Sequence, residues 1–268
     1  MKSCTELLEL LEPIRELSVE AGKKILNIYE TEFSVEHKDD KSPLTEADMA
    51  AHHTIVEGLL ALTPDIPVLS EESVNIPFGE RSQWQTYWLV DPLDGTREFV
   101  KRNGEFTVNI ALIQNHEPVL GVIYAPVLDI TYFACRNHGA WKQQGAEEPS
   151  SIHIRSFPAS TPVVAGSRSH RGNSLKGFLD RLGAHELIGM GSSLKSCLVA
   201  EGAADVYPRF GPTSEWDTAA AQSIVEEAGG KLTGINLLPL RYNTKESLLN
   251  PDFIVIGDTN YNWSSLLG

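Results

Sequence analysis

The segment Trp88–Thr96 places two carboxylates, Asp91 and Asp94, directly after a short apolar stretch. The apolar residues predict a strand, and the proline between the carboxylates and the glycine after them predict a tight turn. Two carboxylates on one turn repel each other unless a cation lies between them, and hard oxygen ligands suit Mg²⁺. A helix predicted at Thr96–Arg102 would offer backbone N–H groups to a phosphate. The segment is typical of a phosphate-hydrolysis site, although an ordinary turn has the same composition.

Further carboxylates stand at the ends of other predicted elements. Glu71 and Glu72 follow an apolar strand, Asp48 stands at the start of a predicted helix, and Asp217 immediately precedes an alanine-rich one. Each has a simpler explanation when taken alone. Asp48 and Asp217 suit helix caps or first-turn positions, and a glutamate pair suits the surface. Only their joint order along the chain favours a single acidic site.

That order resembles a known superfamily. The series is Asp48, Glu71-Glu72, Asp91-Pro-Leu-Asp-Gly-Thr96, Trp216-Asp217 and Gly229-Gly230. It is similar to the lithium-sensitive, magnesium-dependent phosphatases, which include inositol monophosphatases, fructose-1,6-bisphosphatases and 3′-phosphoadenosine 5′-phosphate phosphatases. The resemblance runs from about Ala21 to about Asp258. In the second half, the segments Ser167–His170, Gly191–Lys195 and Ala203–Pro212 resemble the bacterial 3′(2′),5′-bisphosphate nucleotidases more closely than the inositol monophosphatases.

The resemblance implies the fold. We expect an α/β protein with an α+β N-terminal half and an α/β C-terminal half, arranged as a layered α/β/α/β/α sandwich of the inositol monophosphatase and fructose-1,6-bisphosphatase type. A polar, turn-rich stretch places the boundary between residues 148 and 149. The N-terminal half, 1–148, is expected to carry most metal ligands. The C-terminal half, 149–268, is expected to carry Asp217 and the nucleotide-binding residues.

The resemblance also implies a role for each site residue. The expected ligands of two or three Mg²⁺ ions are the side chains of Glu71, Asp91, Asp94 and Asp217 and the backbone carbonyl of Leu93. The resemblance also makes Glu71 a catalytic residue, together with Asp48 and Thr96. Asp48 and Thr96 are expected to orient or deprotonate the attacking water. Glu72 is expected to orient Glu71 or a metal-bound water. For Thr96 a helix cap is an alternative role that can coexist with the first.

Substrate contacts are implied in the same way. Gly95 and Thr96 are expected to bind the phosphate that is removed. The residues expected to hold the sugar and the retained 5′-phosphate are Ser167, His170, Ser192, Lys195 and Arg209. For Arg209 a surface ion pair is an equally good explanation.

The implied activity is the Mg²⁺-dependent conversion of adenosine 3′,5′-bisphosphate to AMP and phosphate, with inhibition by Li⁺. The expectation extends to 3′-phosphoadenylyl sulfate and to a role in sulfur assimilation. Two alternatives stay open at this point. One is an inositol or sugar phosphate monoesterase on the same scaffold, and the other is a non-catalytic regulator that binds metal or nucleotide.

Net charge, apolar content and cysteine spacing restrict the classes of partner and the compartment. The net charge of −14 argues against a nucleic acid polymer as partner, and it makes local cations necessary wherever an anionic substrate binds. No apolar stretch approaches the ~20 residues of a transmembrane segment. The three scattered cysteines contain no CxxC pair, which indicates the cytoplasm. A peripheral position at the inner membrane and the oligomeric state are left open.

Overall fold

The computed structural model describes residues 4–31, 43–73, 75–157, 161–166 and 173–267. The helices of this part are α1 Cys4–Tyr29, α2 Pro43–Leu62, α3 Phe78–Arg81, α4 Thr96–Val100, α5 Asn173–Leu182, α6 Leu194–Ala200 and α7 Ala219–Glu227. Short 3₁₀ helices cover Glu71–Ser73, Glu215–Asp217 and Trp263–Leu266.

Two sheets form the frame. The first contains β1 Val68–Ser70, β2 Thr86–Asp94, β3 Thr107–Gln114, β4 Glu117–Ala125, β5 Ile130–Cys135, β6 Ala140–Gln144 and β7 Ser150–Ile152, paired in that order. The second contains β8 Val163–Gly166, β9 Glu186–Gly189, β10 Val206–Arg209, β11 Lys231–Gly234 and β12 Phe253–Ile256. Its order is β11-β12-β10-β8-β9.

Helix α1 is continuous across Pro13, although a proline in a helix interior removes a backbone hydrogen bond. The sequence left open whether the proline divides this region into two helices. Leu7 and Ile14, on either side of Pro13, are both buried against the first sheet together with residues of α2. Burial of one continuous apolar face on the sheet therefore offsets the local cost of the proline.

Strands β3 and β4 form a hairpin that turns at Asn115 and His116. Asn115 and His116 both have positive φ values, 49° and 68°, which is the backbone of a two-residue turn matched to the twist of the strands. Strand β3 is buried along its whole length because helices cover both faces of the sheet. It therefore forms a rigid support beside β2.

Three cores hold five layers together, as expected for the predicted sandwich. The first core joins α1 and α2 to one face of the first sheet. The second lies between the other face of that sheet, the helices α6 and α7, and the second sheet. The third covers the outer face of the second sheet with α5 and the C-terminal 3₁₀ helix. The α/β class and the layered arrangement are thus confirmed.

The division of the chain into halves at 148/149 stays a prediction. Strand β7 follows that point and still pairs with β6 of the first sheet. Strand β11 was not predicted, because Lys-Leu-Thr-Gly carries too little apolar alternation to indicate a strand. No helix of the described ranges has the length and hydropathy needed to cross a membrane.

Candidate active site

The carboxylates Asp91 and Asp94 do not lie on a turn, so that prediction is wrong. Strand β2 continues through both, and its pairing with β3 shifts between Asp91, opposite Asn109, and Asp94, opposite Thr107. Three steps on β2 match two steps on β3, which is a β-bulge. A bulge re-aims side chains without ending the strand. The strand ends at Asp94, Gly95 follows with a φ of 95° that suits glycine, and α4 begins at Thr96.

The bulge brings two carboxylates to a third from the second half of the chain. One oxygen each of Asp91, Asp94 and Asp217 lies within 4.8 Å of the others. Asp217 ends a 3₁₀ helix and accepts a hydrogen bond from the backbone N–H of Ser214 at 2.9 Å. The helix-cap role considered for Asp217 and its place in the cluster therefore coexist.

Glu71 and Leu93 border this cluster. The Glu71 side chain hydrogen-bonds to Asp91 and to the Trp216 side chain. Leu93 lies within the bulge, and its N–H donates to Asp91 Oδ1 at 3.1 Å. All four predicted side-chain ligands therefore meet at one place. Leu93, the fifth predicted ligand, lies between Asp91 and Asp94 along the chain.

The cluster carries more negative charge than its surroundings can stabilise. Burial, followed by the nearby Asp94 and Glu71, raises the pKa of Asp91 well above its ordinary value. Burial and Asp94 raise the pKa of Asp217 to about 7. A divalent cation would relieve this repulsion, and every donor is a hard carboxylate oxygen. The residues present therefore fit a metal such as Mg²⁺.

Asp48 lies beside the glutamate pair. Its side chain is buried and hydrogen-bonded to Glu72, and burial followed by Glu72 and Glu71 raises its pKa to about 8. Its Oδ1 has no hydrogen-bond partner among the described residues. Thr96 is exposed, and within the same part of the chain it makes no direct hydrogen bond to Asp48.

A cavity of about 350 Å³ joins the cluster to positive charge. Its wall includes Asp94, Gly95, Thr96, Ser192, Lys195, Arg209 and Asp217. Seven residues predicted as ligands, catalytic groups or substrate contacts therefore share one space. The lining also includes the aromatic residues Tyr207, Phe210 and Phe253.

Lys195 lies in the first turn of α6. Helix α6 begins at Leu194, and Ser192, two residues earlier, has a positive φ of 46°. Lys195 is buried, and its ammonium donates to the carbonyls of Ser192 at 2.6 Å and Met190 at 3.4 Å. Burial lowers its pKa to about 8. The ammonium thus contacts carbonyls at the cavity wall and does not join helix N–H groups in an open anion site.

Arg209 lies close enough to Lys195 for its like charge to lower the pKa of that lysine further. It forms no surface ion pair with any described residue. Its Nη2 donates to the Pro212 carbonyl at 3.3 Å, while its Nε is buried without a partner in the described ranges. The surface-pair alternative therefore finds no partner within the described ranges, and the role of Arg209 stays a prediction. Ser167 and His170 lie outside the described residues.

Sequence reasoning missed three residues that contact the predicted ligands. Ser193 donates to Asp94 through both its N–H and its hydroxyl, Asn109 donates to Ser193, and Trp216 contacts Glu71. Asn109 is a polar residue in the middle of a buried apolar strand, which is a usable signal. The sequence contains no signal for Ser193 other than its position next to Ser192, which was a predicted substrate contact.

The chain belongs to the inositol monophosphatase family, which it matches over residues 6–259. Among similar proteins, 3′(2′),5′-bisphosphate nucleotidase CysQ of Salmonella typhimurium is 52% identical over 249 residues, covering 92% of this chain and 99% of the relative. CysQ of Escherichia coli K12 is 50% identical over 249 residues, with the same coverage of 92% and 99%.

Solved structures agree with this placement. CysQ from Bacteroides thetaiotaomicron, described as a bacterial member of the family, superposes with a TM-score of 0.85 at 45% identity and covers 93% of this chain and 97% of its own. An inositol monophosphatase from Zymomonas mobilis superposes with a TM-score of 0.78 at 23% identity, covering 96% of each chain. The second likeness concerns the fold alone.

Proposed function

We propose that this protein is a Mg²⁺-dependent 3′(2′),5′-bisphosphate nucleotidase, which hydrolyses adenosine 3′,5′-bisphosphate to AMP and phosphate. The observation that carries the proposal is the shared cavity, whose lining contains the cluster carboxylates Asp94 and Asp217, here called its acidic side, and the cations Lys195 and Arg209, here called its basic side. A substrate with two phosphates needs two anion sites, and in a chain of net charge −14 neither arises from the overall field. The relatives named CysQ support the same activity.

The acidic side of the cavity is assigned to the scissile phosphate. Glu71, Asp91, Asp94, Asp217 and the Leu93 carbonyl would hold the cations. When bound, Mg²⁺ neutralises phosphate oxygens and lowers the pKa of a water. Gly95 and Thr96 line the same side and would donate backbone N–H groups to the phosphate.

Proton handling falls to Asp48, supported by Glu72. Burial and the neighbouring Glu72 and Glu71 raise the pKa of Asp48 to about 8 in the metal-free protein, and a cation held at the cluster would favour the charged carboxylate that a proton acceptor needs. Attack by the water oxygen on phosphorus breaks the bond to the 3′ oxygen, which takes up a proton and leaves as the nucleoside hydroxyl. Thr96, at the cavity wall, and Asp48 are assigned as the pair that orients or deprotonates the attacking water.

The basic side of the cavity is assigned to the nucleotide. Lys195 and Arg209 are the cations that would face the retained 5′-phosphate, and Ser192, Ser167 and His170 complete the proposed set. The same set would accept 3′-phosphoadenylyl sulfate, since that molecule differs only in an added sulfate. The scattered cysteines favour a reaction in the cytoplasm.

The test is a phosphate-release assay with adenosine 3′,5′-bisphosphate, inositol 1-phosphate and fructose 1,6-bisphosphate, each with MgCl₂ and with EDTA. We expect the highest kcat/KM for the nucleotide and none of this activity in EDTA. Preference for inositol 1-phosphate would favour the monoesterase alternative. Absence of phosphate release from all three substrates in MgCl₂ would favour the non-catalytic regulator.

A further inference from the structure

The loop Met190–Ser193 of the second half lies against carboxylates of the first half. The N–H of Gly191 donates to Glu105 Oε2 at 2.8 Å, and the N–H of Ser193 donates to Asp94 Oδ2 at 2.6 Å. A Cβ placed on Gly191 would lie 2.5 Å from Glu98 Cγ and 2.6 Å from the Glu105 carbonyl oxygen. Only glycine allows so close an approach, so the loop has little freedom to move relative to Asp94.

Hydrogen bonds to Asp94 converge on one of its two oxygens. Oδ2 accepts from the Ser193 N–H at 2.6 Å, from the Ser193 hydroxyl at 2.7 Å and from Asn109 Nδ2 at 3.5 Å. Donors on one oxygen fix the orientation of the whole carboxylate and leave Oδ1 available to a cation. The orientation of this predicted ligand therefore depends on a residue from the other half of the chain.

The Ser193 hydroxyl has one proton and two candidate acceptors. Asp94 Oδ2 lies at 2.7 Å and the Asp217 carbonyl oxygen at 3.1 Å. The carboxylate is closer and charged, so it is the stronger acceptor. Asn109 Nδ2 donates to the same hydroxyl at 2.8 Å, and this bond directs the serine proton away from Asn109 and toward Asp94. Asn109 and Ser193 are both buried, so water does not replace these bonds.

We propose that Ser193 is a positioning residue for the metal ligand Asp94, with Asn109 orienting its hydroxyl. The inference rests on the proposed function, because it takes Asp94 to be a ligand. Groups that hydrogen-bond to a ligating carboxylate typically contribute about 10–100-fold to metal affinity or activity. Ser193 also lines the cavity, so a direct contact with substrate is the role from which positioning has to be distinguished.

The experiment measures binding of Mg²⁺ alone. The melting temperature is followed as MgCl₂ is titrated without substrate, and isothermal calorimetry gives the affinity. Ser193→Ala should require about 10–100-fold more Mg²⁺ for half of the thermal shift. Ser193→Thr keeps the hydroxyl and should regain most of the affinity. The matched control is Ser18→Ala, which removes a buried hydroxyl bonded within α1 to the Arg15 carbonyl and should leave the Mg²⁺ response unchanged.

Steady-state kinetics separate positioning from substrate contact. At Mg²⁺ concentrations that saturate Ser193→Ala, its KM for adenosine 3′,5′-bisphosphate should equal that of the wild type. A raised KM with unchanged Mg²⁺ affinity would assign Ser193 to the substrate and overturn the proposal. Should Ser193→Ala not fold, Asn109→Ala decides: weaker Mg²⁺ binding supports the positioning role, and wild-type binding overturns it.

The two proposals fail in different ways. If the wild type shows no thermal shift with MgCl₂, the proposed function itself is contradicted. If the wild type responds and Ser193→Ala responds at the same concentrations, only the positioning role is contradicted.

Discussion

The acidic and basic sides of the active-site cavity are built in opposite ways. The acidic side crowds buried carboxylates until burial and mutual repulsion raise the pKa of Asp91 and Asp217. The basic side buries one ammonium, that of Lys195, and satisfies it with two carbonyls. The first side therefore gains stability when a cation binds, whereas on the second side the two carbonyls offset part of the cost of burying the ammonium. The proposed site therefore combines carboxylates whose mutual repulsion is not compensated with a lysine that is already hydrogen-bonded to two backbone carbonyls.

The largest expected effect comes from the acidic side. Asp94→Asn keeps the shape of the side chain and removes one negative charge from the cluster. We expect kcat to fall at least ~10²-fold, comparable to the loss of one transition-state stabilising group. The measurement is phosphate release at saturating MgCl₂, with circular dichroism as a control for folding. Normal turnover by this variant would remove Asp94 from the ligand set.

The next effect tests the basic side. Lys195→Ala should remove a charge-assisted contact worth roughly 1.5–3 kcal/mol, which is about 10- to 150-fold in kcat/KM for adenosine 3′,5′-bisphosphate. The loss should be much smaller for 3′-AMP, which lacks the 5′-phosphate. Because the Lys195 ammonium also binds the Ser192 and Met190 carbonyls, an equal loss for both substrates would assign it to the loop instead.

The pKa of Lys195 gives the basic side a pH dependence of its own. Burial lowers the pKa to about 8, so the charged form is lost as pH rises through that value. We expect kcat/KM for the bisphosphate to fall above about pH 8 more steeply than kcat/KM for 3′-AMP. Lys195→Arg, which stays charged, should remove the difference between the two profiles. Parallel profiles for both substrates in the wild type would contradict this role.

Inhibition by Li⁺ tests whether the acidic side needs the double charge of Mg²⁺ or only a small cation that fits its oxygen ligands. Li⁺ is small and hard like Mg²⁺ but has half its charge, so it can occupy an oxygen-lined site without equal stabilisation. We expect LiCl to inhibit and equimolar NaCl to inhibit much less. Equal inhibition by the two salts would indicate an effect of ionic strength alone.

The smallest effect concerns stability without substrate. The folded-state pKa values of Asp48, about 8, and Asp217, about 7, lie above the ordinary value of 3.8. The folded state therefore binds more protons than the unfolded state between these limits, and stability falls as pH rises from about 4 toward 8. In EDTA the melting temperature should decrease over that range, by roughly 2–4 °C per kcal/mol lost.

Saturating MgCl₂ is the control for this effect. A bound cation favours the charged carboxylates, so it should raise the melting temperature most near pH 8 and flatten the pH dependence. A melting temperature in EDTA that is constant or rises between pH 5 and pH 8 would contradict the proposed repulsion within the cluster.

The family and the layered fold were predictable because a few acidic motifs retain their order along the chain. The expected family is confirmed by the match over residues 6–259. The long helices and the hairpin at Asn115 depend on local spacing and turn composition, which the sequence carries. Strand β11 was not predicted because an edge strand of four residues with mixed polarity shows little alternation of apolar and polar residues.

The sequence by itself determined which groups carry charge and where they stand along the chain. Asp91, Asp94 and Asp217 were identifiable as acids at element ends, and Lys195 as a cation beside a loop. What only the tertiary structure decided is how these groups are oriented. A bulge replaced the expected turn because β2 keeps pairing with β3, and Ser193 reached Asp94 because the second half packs across the first. The Ser193 contact joins residues 99 positions apart along the chain, so no local pattern specifies it.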